Sequence, residues 1–296
     1  MRLLVIGNGF DLDLGLKTKY YDFAQSVHFE KIKDFSQIPY SLASFMMDKI
    51  KEDANWFDIE ETMAEYVKYK RKSDKICNNG LDEDRRFLQM LEQSFYDYVC
   101  DKVIDVDIQS WHTPIKDSFA KKIIEIQNKS NYFDGIYSFN CFDYQYLFFG
   151  GFENLFEVNY VHNSTGNFLF GISSEDCLDK KFAFLVKANQ PGYSVDVVQN
   201  LLHDLGVADE IVIFGHSLNR IDMCYFKKFF ECFSQTKQSI TFVTKDESSK
   251  ERLINNISRY AIPFELLAES GRVVFLLTDD FNSHYVSEDF KLFLGN

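Results

Sequence analysis

Proline is nearly missing from this chain, with 4 among 296 residues. No Pro/Gly/Ser-rich or low-complexity stretch occurs either, which argues against a string of domains on flexible linkers. Positive charge is also short: 32 Lys and Arg face 45 Asp and Glu, a formal net charge of −13. Phosphate backbones need a basic face, so no nucleic-acid partner is expected. The one basic cluster, Lys68, Lys70, Arg71, Lys72 and Lys75, reads as a solvated helix end. No apolar run approaches the roughly 18 residues of a membrane span. Arg2, four apolar residues and a turn do not make a signal peptide, so a cytoplasmic location is expected. The six cysteines (Cys77, Cys100, Cys141, Cys177, Cys224 and Cys232) include no C-x-x-C pair, and the six histidines are scattered. Reduced, mostly buried thiols are expected, with no zinc or other metal site.

Apolar residues make up 46% of the chain, and 31 Phe with 16 Tyr give it an unusually aromatic core to bury. Residues 2–6 form a short apolar run ending in Gly-Asn-Gly, the pattern of a buried parallel strand feeding a turn. The texture then becomes helical, with apolar residues at helical spacing over about 40–53, 57–70, 82–105 and 113–129. The Asp58-Ile59-Glu60-Glu61 cluster suits a helix start, where carboxylates complement the dipole. From about 133 strands return: 133–139, 155–162, 168–171, 210–214, 239–244 and 272–277. Helices at about 194–204, 221–233 and 246–260 separate the later ones. Strands alternating with helices predict an α/β fold, a doubly wound, mostly parallel, Rossmann-like sheet. An all-α insertion splits its first strand from the rest. The expected division is a nucleotide-binding core, 1–23 and 130–296, and a helical insertion subdomain, 24–129. That helical part is expected to serve self-association or a defence-system partner protein.

In such sheets ligands bind beyond the carboxyl ends of the strands. The polar clusters fall where predicted strands end: Gly7-Asn8-Gly9, Asn140, His162 and Gly215-His216-Ser217. Gly7-Asn8-Gly9-Phe10-Asp11 can bring its backbone close to a phosphate, although the same pattern also makes a plain tight turn. Leu12 stands where the redox fingerprint needs a third glycine, which disfavours ordinary hydride transfer. Asn140 can donate and accept hydrogen bonds or cap a helix; His162 is either a near-neutral proton acceptor or a hydrogen-bonded structural residue. Gly215-His216-Ser217-Leu218-Asn219 approaches a nucleophile elbow, with Asp279 and His284 as the acid and base of a minor serine hydrolase alternative.

Together these residues resemble the AbiH-type abortive infection family. The matching pieces are Gly7-Asn8-Gly9-Phe10-Asp11, Leu14-Gly15-Leu16 with Thr18, Tyr20, Asp22 and Phe23, Trp56-Phe57-Asp58-Ile59-Glu60, Ser138-Phe139-Asn140-Cys141-Phe142-Asp143, Val161-His162, Phe170-Gly171, and Phe214-Gly215-His216-Ser217-Leu218 with Asp222. The resemblance implies bacterial antiphage defence. The order of the motifs is also similar to that of sirtuin-like domains that bind NAD. That second resemblance implies Gly7, Asn8 and Gly9 as the dinucleotide loop, Asn140 and Asp143 as the Asn-Tyr-Asp motif, and His162 as the catalytic histidine. Gly215, Ser217 and Asp222 would form the later nucleotide-contacting turn, beside His216, and Asp11 or Asp143 would stabilise developing positive charge. The implied activity is hydrolysis of the N-glycosidic bond of NAD, a small-molecule nucleotide. Nucleotide sensing without turnover is the alternative.

Overall fold

The computed structural model describes all positions except 53–57, 73–79, 105–116, 143, 145–147, 149–156, 165–166, 178 and 283–296. The chain divides into two compact units. The first comprises Met1–Leu16, Val106–Val161 and Val195–Asn296, and the second Lys17–Asp105 and His162–Ser194.

The first unit holds six parallel strands: β1 (Arg2–Ile6), β2 (Gly135–Ser138), β3 (Val158–Tyr160), β4 (Glu210–Phe214), β5 (Ser239–Thr244) and β6 (Val273–Leu277). Their order in the sheet is β3-β2-β1-β4-β5-β6, all parallel. This is the doubly wound order of dinucleotide-binding sheets, whose strand order reverses between β1 and β4. β1 is central, and its Leu3, Leu4, Val5 and Ile6 are fully buried. An unbroken apolar run without alternation signals such a strand, covered on both faces. Alternate residues feed two cores. Leu3, Val5, Ile211, Ile213, Ile240 and Phe242 pack with Leu201, Phe226, Leu253 and Leu267 of the helices Val195–Val207, Met223–Cys232, Glu247–Tyr260 and Phe264–Ala268. On the opposite face Phe214 meets Phe10 at 4.9 Å and Phe119 at 5.8 Å between ring centroids, and Phe119 meets Phe281.

In the second unit the described residues between 24 and 105 are helices and turns without a strand. Long helices run over Leu42–Glu52, Ile59–Lys72 and Gly80–Ile104. In its core Phe23 meets Phe29 and Phe95 edge to face and Tyr98 at a tilt. Asp84 is buried and accepts bonds from the Leu42 amide at 2.7 Å and the Tyr66 hydroxyl at 2.5 Å. Burial raises the pKa of both groups, and for Asp84 the two bonds pull back against it.

The expected Rossmann-like sheet is present, with all six strands parallel. Three other expectations change. The 168–171 strand is no part of the main sheet: Asn167–Phe168 pairs antiparallel with Asn163–Ser164, its near neighbour in the chain. Lys70 is buried, its ammonium 5.4 Å from the centre of the Tyr66 ring, whereas Lys68 and Arg71 are solvated as expected. Of the five cysteines among the described residues, all free thiols, only Cys141 is buried. Cys224 and Cys232 are exposed because their helix turns Tyr225, Phe226, Phe229 and Phe230 inward. Cys77 lies outside the described residues.

Candidate functional site

Parallel pairing brings the carboxyl ends of β2, β1 and β4 side by side, each followed by a sequence-predicted polar turn. The turns after β1 and β4 are bonded to each other. The Gly7 amide donates to the Phe214 carbonyl at 2.9 Å, and the Gly9 amide to the Gly215 carbonyl at 2.8 Å. A Cβ on Gly7 would stand 2.5 Å from His216 Cα, and one on Gly9 2.6 Å from Gly215 Cα. Gly215 adopts φ 64° and would meet Gly9 Cα at 2.4 Å in turn. These glycines are therefore required by the approach of one turn to the other. Their amides are spent on that approach, so they offer no cradle to a phosphate, and the helix that follows, Asn8–Asp13, has only six residues.

The second turn is fixed from within. His216 is buried, and its Nδ1 accepts the Leu218 amide at 3.0 Å, which leaves the ring proton on Nε2. Nε2 lies 3.6 Å from Asp222 Oδ2. Leu218 is fully buried with φ 48°, a left-handed conformation costing a leucine about 1–2 kcal/mol. Ser217 is exposed, and its carbonyl accepts from Asn256 Nδ2. The left-handed positions are Gly215 and Leu218, and the next helix starts only at Met223. A nucleophile elbow would instead need the sharp strand-to-helix turn at the serine itself. Asp279 is exposed, and His284 lies outside the described residues.

Asn140 follows the end of β2 by two residues and is buried. Its Nδ2 donates to Asp11 Oδ1 at 3.2 Å and to the Tyr144 hydroxyl at 2.7 Å, and its amide to Ser138 Oγ. Asp11 is 1% exposed. The Tyr144 amide donates to the Tyr160 hydroxyl at 2.7 Å, tying this network to the end of β3. Asp13, the next carboxylate of the first motif, accepts the Ala120 amide at 2.8 Å and anchors the helix Phe119–Ser130. Asp143 lies outside the described residues, and Asn8 is exposed.

His162 belongs to the second unit. Both its ring nitrogens lie 3.1–3.2 Å from Lys187 Nζ, which also pairs with Glu60 Oε1 at 2.7 Å. The three side chains are almost fully buried. The His162 carbonyl accepts the Leu169 amide, and a Cβ on Gly171 would stand 2.9 Å from Lys187 Cγ. Sequence reasoning quoted Glu60 and Gly171 as family pieces but missed Lys187 and Tyr144 as partners. Lys187 carried no signal, because it lies in an irregular 3₁₀ stretch, Lys187–Asn189. Among the described residues no group of acidic, His or Cys side chains is placed to hold a metal ion, and no helix is long and apolar enough to cross a membrane.

The model of the bacteriophage abortive infection AbiH family matches residues 3–244, from β1 to the end of β5. The chain belongs to the AbiH family. It is an antiphage abortive infection protein, and the matched span contains the paired glycine turns, Asn140 with Asp11, and the His162, Lys187 and Glu60 cluster. No curated protein and no solved structure matches the AbiH chain.

Proposed function

We propose that this AbiH-family protein acts in the cytoplasm against phage by hydrolysing the N-glycosidic bond of NAD. The observation that carries the reading is the Asp11–Asn140–Tyr144 network at the ends of β1 and β2, in a sheet of dinucleotide-binding strand order. In the reaction a water oxygen bonds to the ribose C1′ as the bond from C1′ to the pyridine nitrogen breaks. The bonding pair leaves with nicotinamide, the water gives up a proton, and ADP-ribose is the other product. Nicotinamide is already a cationic leaving group, so a strong general acid is not needed. A held ribose and a positioned water are what help. Asn140 is assigned the ribose or the water; the sequence motifs assign the proton to His162, whose imidazole Lys187 and Glu60 hold within the second unit. The nucleotide-contacting role expected of Gly215, Ser217 and Asp222 passes to side chains of that turn, since Gly215 is spent on the Gly9 contact.

Nucleotide sensing without turnover is the second reading. It is favoured by the engagement of His162 with Lys187 and of His216 with Leu218, the two histidines nearest the sequence motifs. Incubating pure protein with NAD and following nicotinamide release separates the two. The hydrolase reading expects release that falls roughly 10²–10⁴-fold in Asn140→Ala and in His162→Ala, the usual contribution of positioned catalytic groups. His216→Ala serves as the control. Saturable NAD binding without nicotinamide release leaves the sensing reading.

A further inference from the structure

Asn140 is an amide whose two ends do opposite things, and the structure decides which end faces which way. Its nitrogen donates to Asp11 Oδ1 at 3.2 Å, the arrangement that suits a carboxylate, which only accepts hydrogen bonds. The second hydrogen of the same nitrogen goes to the Tyr144 hydroxyl. Both donors of the side chain are thereby used. Its carbonyl oxygen Oδ1 makes no hydrogen bond among the described residues. We propose that Asp11 is a positioning residue that holds the Asn140 amide with its carbonyl outstanding, so that this strand end recognises a hydroxyl donor of a ribose and rejects phosphate. The phosphodiester oxygens of a dinucleotide carry no proton to offer an outstanding carbonyl, and their charge is repelled by its oxygen. The main-chain donors that would otherwise serve a phosphate, Gly7 and Gly9, are bonded to Phe214 and Gly215.

In dinucleotide-binding sheets a carboxylate at the end of the second strand takes the ribose hydroxyl directly. No acidic residue ends β2 here, and the sequence offers Ser138-Phe139-Asn140 instead. The carboxylate arrives from the helix after β1 and acts through the amide. The inference rests on the reading that the ligand is a nucleotide with a ribose, and it adds which part of it the site holds.

Three measurements test it. The Asn140 side-chain amide is followed by ¹⁵N NMR, and both its protons should be protected from exchange in the unliganded protein. The isosteric Asp11→Asn, which allows the amide to rotate, should lose that protection while the fold is kept. Binding of nicotinamide riboside, and of analogues lacking the 2′ or the 3′ hydroxyl, is then measured by calorimetry. Loss of one of these hydroxyls should weaken binding roughly tenfold to a hundredfold in the native protein, as for a hydrogen bond in a site built for it. In Asn140→Ser and Asp11→Asn that loss should shrink to less than about threefold. The proposal is overturned if the riboside does not bind, if both analogues lose equally in native and variant proteins, or if inorganic pyrophosphate displaces the riboside and shifts the Asn140 amide. Nicotinamide release from NAD is read on the same samples. Hydroxyl-dependent binding without release removes the hydrolase and keeps this inference. Release that is unchanged in Asp11→Asn keeps the hydrolase and overturns this inference.

Discussion

The two units hold their polar groups in contrasting ways. At the turns after β1 and β4 in the first unit the geometry is set by main chain: paired glycines, amides donating to carbonyls, and a left-handed Leu218. In the second unit it is set by ionisable side chains: the buried Lys187 with Glu60 beside His162, and the half-buried Glu92 receiving the Phe170 amide at 3.1 Å. The first arrangement answers to steric substitutions and the second to charge and pH.

The largest effect should come from the charged cluster. Lys187→Met strands the Glu60 carboxylate in the interior, at an expected cost of about 3–5 kcal/mol. Adding Glu60→Gln should return most of that. Urea unfolding of the two variants measures it, and a double variant as unstable as the single one would mean that the pair is not coupled.

Gly9→Val comes next. Its branched Cβ would enter the space of the Gly215 backbone, and overpacking against main chain costs about 1–3 kcal/mol or more. Gly206, in the helix Val195–Val207, has open space where a Cβ would stand, with nothing within 4 Å. Gly206→Ala should therefore stabilise by about 0.5–1 kcal/mol. If thermal unfolding shows both changes to be equally mild, the turns are not locked as described.

The smallest effect is set by pH. Burial pushes the Glu92 carboxyl up to about 8 from an ordinary 4.5, against the pull of the Phe170 amide. In the folded state it keeps a proton that the unfolded chain gives up at lower pH. Its contribution is therefore complete below pH 4.5 and is lost as pH rises through about 8. The whole shift would amount to about 5 kcal/mol; with solvent screening at this half-buried carboxyl the loss should be on the order of 2 kcal/mol, and it should vanish in Glu92→Gln. Urea midpoints on either side of that window check this, and a native protein whose stability rises across it would contradict the assignment.

The contrast also explains what could be read from sequence. β1, β4 and β5 were legible because a fully buried parallel strand is an apolar run closed by a turn, as in Leu3-Leu4-Val5-Ile6 before Gly7. The convergence of Gly7, Asn140 and Gly215 followed from parallel pairing alone. The reason for the glycines was not legible, since a close approach to a ligand and one to another turn demand the same missing Cβ. Glu60 and Lys187 stand far apart in the chain, and neither shows a local pattern for burial. Asp11 beside Asn140 escaped notice because a helix after β1 delivers a group to the end of β2, a tertiary event without periodicity.

The central place of β1 has a consequence for biosynthesis. Its neighbours, β2 and β4, begin at Gly135 and Glu210. A ribosome adding about 5–20 residues per second needs roughly 10 to 40 seconds to supply them both after β1 has been made. For that time four apolar residues with both strand edges unpaired wait in the growing chain. The helical segment Lys17–Asp105, rich in local contacts, is synthesised within this interval and can condense first. Any chaperone that attends this chain would find its target in residues 2–6, and truncation at any point before β4 should leave that target permanently open.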